Sequence, residues 1–135
     1  MKKTIASALI LIVILTFAQC HLGTKPFKTY FWTSNQTGKT LYLFIDEVNK
    51  GVLPALSEAP VCDNDASKKK ALFVSLEAGT YLIEVKDQSG NIKVSEKLET
   101  RLSNHDKTIG VSREGHQGES RSTTEDDCLI LELFY

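Results

Sequence analysis

From Phe27 to the end of the chain, apolar residues recur at every second position rather than every third or fourth. That period sends alternate side chains to opposite faces of an extended backbone, so it specifies strands and not helices. Residues 80–86 show it most cleanly. Tyr81, Ile83 and Val85 fall on one face, Glu84 and Lys86 on the other. Ile92, Val94 and Leu98 alternate in the same way against Lys93, Ser95 and Lys97. The aromatic run Phe27-Lys28-Thr29-Tyr30-Phe31-Trp32 is β-prone. Residues 40–48 are apolar on both faces and suit a central strand. The closing CLILELFY places Leu129, Leu131 and Leu133 on one face, and such a strand must dock into a sheet.

Turn signals separate these runs: Asn35-Gln36-Thr37-Gly38, Asn49-Lys50-Gly51, Glu77-Ala78-Gly79 and Asp87-Gln88-Ser89-Gly90. Val52-Leu53 resumes briefly before Pro54 ends pairing. Residues 54–70 read as a loop holding Pro60, Cys62 and Lys68-Lys69-Lys70. Residues 103–127 read as one long polar loop, in which only Ile109 and Val111 could anchor a short strand. The expectation is an all-β fold after an N-terminal signal helix. It is a small antiparallel β-sandwich of six to seven strands over residues 27–135, immunoglobulin-like or transthyretin-like.

Residues 1–19 carry a different pattern. Lys2 and Lys3 precede an uncharged stretch from Thr4 to Ala18. Fifteen helical residues rise about 22 Å, short of the roughly 30 Å hydrocarbon core. A basic start, a short apolar stretch and a small residue at its end make a signal peptide. Two cleavage readings compete. Phe17-Ala18-Gln19-Cys20 approximates a bacterial lipobox, which would leave Cys20 lipidated as the first residue. Thr16-Phe17-Ala18 suits ordinary signal peptidase, cutting before Gln19. Residues 20–26 then form a tether whose six residues after Cys20 reach about 20 Å.

The three cysteines fit lipidation. With Cys20 lipidated, Cys62 and Cys128 remain as an even pair for an oxidising compartment. Cleavage before Gln19 would leave an odd thiol. The composition excludes other classes. The 135-residue chain is one domain long, and its 16 basic and 17 acidic residues give a net charge of -1. Removing residues 1–19 leaves 14 basic against 17 acidic residues. That balance gives no electrostatic reason to seek nucleic acid or anionic lipid.

Three segments together carry a resemblance: Leu43-Phe44-Ile45-Asp46, Gly51-Val52-Leu53-Pro54, and Leu76-Glu77-Ala78-Gly79-Thr80-Tyr81 leading into Leu82-Ile83-Glu84-Val85. This grammar resembles the PEGA-type domain: a strand ending in Asp-Gly, a Gly-x-x-Pro soon after, and a Leu-x-x-Gly-x-Tyr entering a later strand. The resemblance spans residues 43–86 and departs from the family at Glu47, which stands where glycine is usual, and in the longer loop 55–70. It implies a small β-sandwich of bacterial envelope proteins and no catalytic residues.

Few constellations suggest chemistry. Gly38-Lys39-Thr40 looks like the end of a phosphate-binding loop, but the leading glycine is replaced by Thr33 and a strand follows, so it reads as a turn. Asp63 and Asp65 flank Asn64 beside Cys62, and Glu125, Asp126 and Asp127 lie beside Cys128. If the cysteines are joined, Asp63, Asp65, Asp126 and Asp127 are weak candidates for a Ca²⁺ site, and a solvated acidic edge is the plainer expectation. Ser103, His105 and Asp106, like Ser112 and His116, supply triad residue types at no diagnostic spacing. His21, His105 and His116 show no metal-ligand spacing. Tyr30, Trp32 and Tyr42 would form a sugar-stacking or protein-contact face if they projected together, and core residues otherwise. Asn35-Gln36-Thr37 fits the N-glycosylation pattern, with no glycan expected in a bacterium.

The leading expectation is a non-enzymatic exported lipoprotein, without cofactors. It would be a structural or protein-binding module of the bacterial cell envelope, held to the membrane by an N-terminal lipid on Cys20. The alternatives are a ligand-binding module for a glycan or Ca²⁺, and a small inhibitor of a secreted enzyme.

Overall fold

The computed structural model describes residues 25–102 and 109–135. The expected signal peptide over 1–19, and Cys20, His21 and the rest of the expected tether up to residue 24, lie outside the described residues, as do Ser103, His105 and Asp106. The strands are β1 (Phe27–Trp32), β2 (Leu41–Ile45), β3 (Val48–Leu53), β4 (Leu72–Leu76), β5 (Gly79–Asp87), β6 (Ile92–Leu102), β7 (Ile109–Gln117), β8 (Glu119–Glu125) and β9 (Cys128–Phe134). One short helix, α1 (Asp65–Lys68), lies between β3 and β4. Among the described residues no helix is long and apolar enough to cross a membrane.

The strands form two sheets, one in the order β4-β1-β9-β8 and one in the order β3-β2-β5-β6-β7. Their inner faces meet in one core. The first sheet contributes Phe31, Leu131 and Leu133; the second contributes Leu41, Leu43, Ile45, Ile83, Val85, Val94 and Leu98. These are the period-two positions of the sequence, and burying each such side chain stabilises the fold by about 1.5–3 kcal/mol. The C-terminal strand docks as expected, between β1 and β8.

Four expectations need correction. First, the described residues hold nine strands, not six or seven. Second, residues 103–127 are not one long loop, because 109–125 supply β7 and β8. These strands escape the apolar alternation because they are sheet edges. β7 is held by backbone pairing to β6 from Leu102↔Ile109 to Ser95↔Gln117. β8 is held by β9, from Glu125↔Cys128 to Glu119↔Phe134. A polar strand survives there because its neighbour supplies the buried side chains. Third, the pairing is not wholly antiparallel: β1 runs parallel to β9.

The fourth correction moves a turn. The β2–β3 connection is the pair Asp46-Glu47, both with positive φ (48° and 67°), rather than Asn49-Lys50-Gly51. A two-residue hairpin needs that left-handed geometry to match strand twist. Asp46 compensates with its carboxylate, whose Oδ1 accepts the Leu82 N–H at 2.8 Å. Glu47 carries the steric cost of a Cβ in the left-handed region. Glu47→Gly is therefore expected to raise the unfolding free energy by about 0.5–1 kcal/mol, measured by urea denaturation.

Two further features fix the frame. Tyr81 Oη donates to the Glu77 carbonyl at 2.9 Å and accepts the Glu77 N–H at 3.2 Å, and Thr100 Oγ1 donates to the same carbonyl at 3.0 Å. Together they lock the β4–β5 connection. At the far end, Asn35 Nδ2 donates to the Tyr135 carbonyl at 2.8 Å while Tyr135 N–H donates to Asn35 Oδ1 at 3.0 Å. The asparagine of the glycosylation pattern is thus a clasp on the last residue.

The chain changes sheets at Gly118, between β7 and β8. Its φ is +73°, and a Cβ there would lie 2.9 Å from Val94 Cγ2, 3.0 Å from the Lys93 carbonyl and 3.1 Å from the Phe134 carbonyl.

Candidate functional site

The outer face of the four-stranded sheet holds a second, smaller core. Along β1, Phe27, Thr29 and Phe31 turn inward, leaving Lys28, Tyr30 and Trp32 on the outside. Cys128 and Ile130 of β9 lie on that same outer side. Loop 54–70 covers them. It is fixed at its start by Thr33, whose N–H donates to the Pro54 carbonyl at 3.0 Å and whose carbonyl accepts the Leu56 N–H at 2.9 Å. It is fixed again by a Cys62–Cys128 disulfide. Trp32 is 5% exposed beneath it, packed with Cys62, Cys128, Ile130, Leu56 and Ala71.

The loop itself is ordered by short-range bonds. Asn64 caps α1 by accepting the Ser67 N–H at 3.1 Å, and the Ser67 hydroxyl accepts the Val61 N–H at 2.9 Å. Those two residue types are built for such local bonds. Lys68 Nζ lies 2.9 Å from Asp65 and 5.8 Å from the centre of the Tyr30 ring. Its hydrogen bond and charge hold the Asp65 carboxyl below its ordinary value, with smaller help from Lys69 and Lys28. Tyr30 meets Phe73 of β4 at 5.4 Å, ring planes tilted by 44°.

The acidic candidates are not gathered into a ligand set. Asp65 pairs with Lys68. Asp127 pairs with Lys25 at 3.2 Å and Lys28 at 3.3 Å. Burial alone would raise the Asp127 carboxyl, but those two ammonium groups outweigh it and hold it low. Asp126 occupies the β8–β9 turn at φ 48°, and Asp63 is exposed. Among the described residues no group of three or more His, Cys, Asp or Glu is placed to hold a metal ion. Ser112 and His116 are exposed along β7. Tyr30 and Trp32 share the outer face of one sheet, whereas Tyr42 of β2 lies on the outer face of the other, so the three aromatics do not form one surface.

One polar group was hidden inside the alternation. Glu96 is in phase with Val94, Leu98 and Thr100 on the inward face of β6 and is 3% exposed. Opposite it in β7 stands Gly115, which has no side chain to offer. Ser120 of β8 donates its hydroxyl to Glu96 Oε2, and Arg113 Nη1 donates to the same hydroxyl oxygen at 3.0 Å. Oε1 has no partner among the described residues. The signal was a charged residue at an inward register position.

Burial pushes the Glu96 carboxyl above its ordinary 4.5, against the opposing pull of Ser120 and Arg113. Folding therefore favours the neutral acid. Its stabilising contribution is complete below pH 4.5 and is lost as pH rises through the folded-state value. Glu96→Gln, which keeps the shape and an oxygen acceptor for Ser120, is expected to raise the melting temperature at about pH 8 and leave it unchanged at about pH 3. A thermal-unfolding series across pH checks this. An equal shift at both ends would assign the effect to packing instead of charge.

Comparison with family models, with curated proteins and with solved structures returns no match for the chain.

Proposed function

We propose that the chain is an exported bacterial lipoprotein, anchored through a lipid on Cys20, whose PEGA-like sandwich serves as a non-enzymatic binding module of the cell envelope. The observation that carries this reading is the Cys62–Cys128 disulfide. Such bonds persist in oxidising compartments and are rare in the cytosol. Residues 1–19 supply the matching address. With Cys20 lipidated, each of the three cysteines has a role. The partner-facing surface in this reading is loop 54–70. It is held at its start by Thr33 and at Cys62 by the disulfide, and Asn64 caps its short helix, so it loses little conformational entropy on binding. Its Val61 stands 53% exposed.

The test is the intact mass of the protein exported by its native host, with and without reductant. The expected mass is that of residues 20–135 plus lipid, gaining two hydrogens on reduction. A lipid-free mass beginning at Gln19 would make the module soluble and leave Cys20 a free thiol. A mass that retains residues 1–19 and does not change on reduction would overturn export altogether.

A further inference from the structure

The two open sides of the sandwich differ in chemistry. On one side β7 and β8 end their sheets with Arg113, Glu114, His116, Glu119, Arg121 and Glu125, all exposed. Charged residues on an edge strand discourage pairing with another chain. On the other side β3 and β4 end the sheets and expose Val48 (56%), Val52 (52%) and Phe73 (53%). β4 reads Leu72-Phe73-Val74-Ser75-Leu76, without charge, proline or glycine. It bonds β1 in unbroken register, and among the described residues no strand lies on its outer side. A regular, uncharged edge of this kind is a template for another strand.

The ends of β4 carry opposite charge. Lys69 and Lys70 precede it and Glu77 follows it, all exposed. Among the described residues Lys68 is paired with Asp65, whereas Lys69, Lys70 and Glu77 make no ion pair. The Glu77 backbone is held in place by Tyr81 and Thr100. Read against its own reverse, the segment is self-complementary: basic end to acidic end, with an exposed aromatic at the centre.

We propose that β4 pairs antiparallel with β4 of a second copy of this chain, across a two-fold axis at Phe73. In that register Phe73 lies opposite the same residue of the second copy. Leu72 then lies opposite Val74, an apolar residue facing an apolar one. The lysines ahead of each strand come beside Glu77 of the other. Each copy uses its β4 edge once, in an isologous pair that closes on itself rather than a growing fibre. The two four-stranded sheets become one sheet of eight strands, with cross-strand aromatic and charge pairs of the sort that stabilise antiparallel partners. A foreign strand could use the same backbone groups, and the chain's own sequence supplies matching charges at both ends. This inference concerns the folded domain and does not depend on export or lipidation.

The test uses the full processed chain in sedimentation and non-reducing gels. Three exposed-site variants are compared, each checked for native Trp32 fluorescence: Phe73→Ser, Glu77→Lys, and the double variant Lys69→Glu/Lys70→Glu. The expected result is a concentration-dependent dimer whose dissociation constant weakens roughly tenfold or more in each variant. Mixing Glu77→Lys with Lys69→Glu/Lys70→Glu is expected to restore the dimer, because only the mixed pair has opposite charges at both ends. Phe73→Cys is expected to form an intermolecular disulfide, and Ser75→Cys alone is not. A chain that stays monomeric at all concentrations overturns the proposal. So does a dimer indifferent to the charge changes, or one that crosslinks through Ser75→Cys. A different protein recovered on β4 in place of a second copy would also overturn it. The intact-mass experiment is independent, so export and self-pairing can fail separately.

Discussion

Replacing Cys62 and Cys128 together by alanine is expected to lower the unfolding free energy by about 4 kcal/mol. The bond joins residues 66 apart, and in the chain-entropy account a loop of that length removes about this much freedom from the unfolded chain. The loss is a large fraction of a small domain's stability. The structure adds a local consequence. Loop 54–70 is tied down by the disulfide and by the two Thr33 backbone bonds, and Trp32 lies beneath it. Without the disulfide the loop is expected to open first, moving Trp32 into water. Equilibrium urea unfolding followed by both tryptophan emission and far-ultraviolet circular dichroism checks this. In the double variant the emission should shift red before the β signal falls. Coincident transitions would mean that the loop's packing holds it without the bond.

Gly118→Ala is expected to cost about 3 kcal/mol, combining a left-handed Cβ with overpacking. Two of the three atoms that crowd the added methyl are backbone carbonyls, of Lys93 and Phe134, and they belong to different sheets. Neither can turn away as a side chain would. Relief would require β7 and β8 to separate from β6 and β9 at the corner, which also bears on the Glu96–Ser120 contact. Thermal unfolding should show a fall of roughly 10 °C or more. A variant with unchanged stability would mean that the corner is plastic and that the sheets are held together elsewhere.

What could be read from the sequence depended on whether a residue's environment was set locally. The alternation of Tyr81, Ile83 and Val85 and of Leu129, Leu131 and Leu133 maps directly onto buried faces, because one strand's own period decides it. The pairing of Cys62 with Cys128 was expected only on the condition that Cys20 is set aside, and the structure forms it. β7 and β8 could not be read this way. Ser112-Arg113-Glu114-Gly115-His116 has no apolar face, and its strand state is imposed by β6 alongside it. The hairpin turn was also misplaced. Asn49-Lys50-Gly51 has the better turn composition, yet Asp46-Glu47 has the register that keeps Leu41, Leu43 and Ile45 inward. For the candidate surface, the aromatic run and the lysine triplet were visible, but not which aromatics shared a face. Tyr42 and Trp32 are separated by the thickness of the sandwich, and no local signal tells one outer face from another. Glu96 was legible only as an acid in phase with Val94 and Leu98.

The parallel pairing of β1 with β9 sets the order in which the molecule can come into being. The central neighbour of β1 is β9, 100 residues further along the chain, and the Asn35 clasp closes on Tyr135 over the same span. Until residue 128 has left the ribosome, the four-stranded sheet has β1 and β4 on one side, β8 on the other and nothing between them. The loop that must then close spans nearly the whole domain, and contacts of such long range form late. The four-stranded sheet therefore forms after the five-stranded one, whose strands all come from residues 41–117. The sandwich is complete only once β9 is in place between β1 and β8.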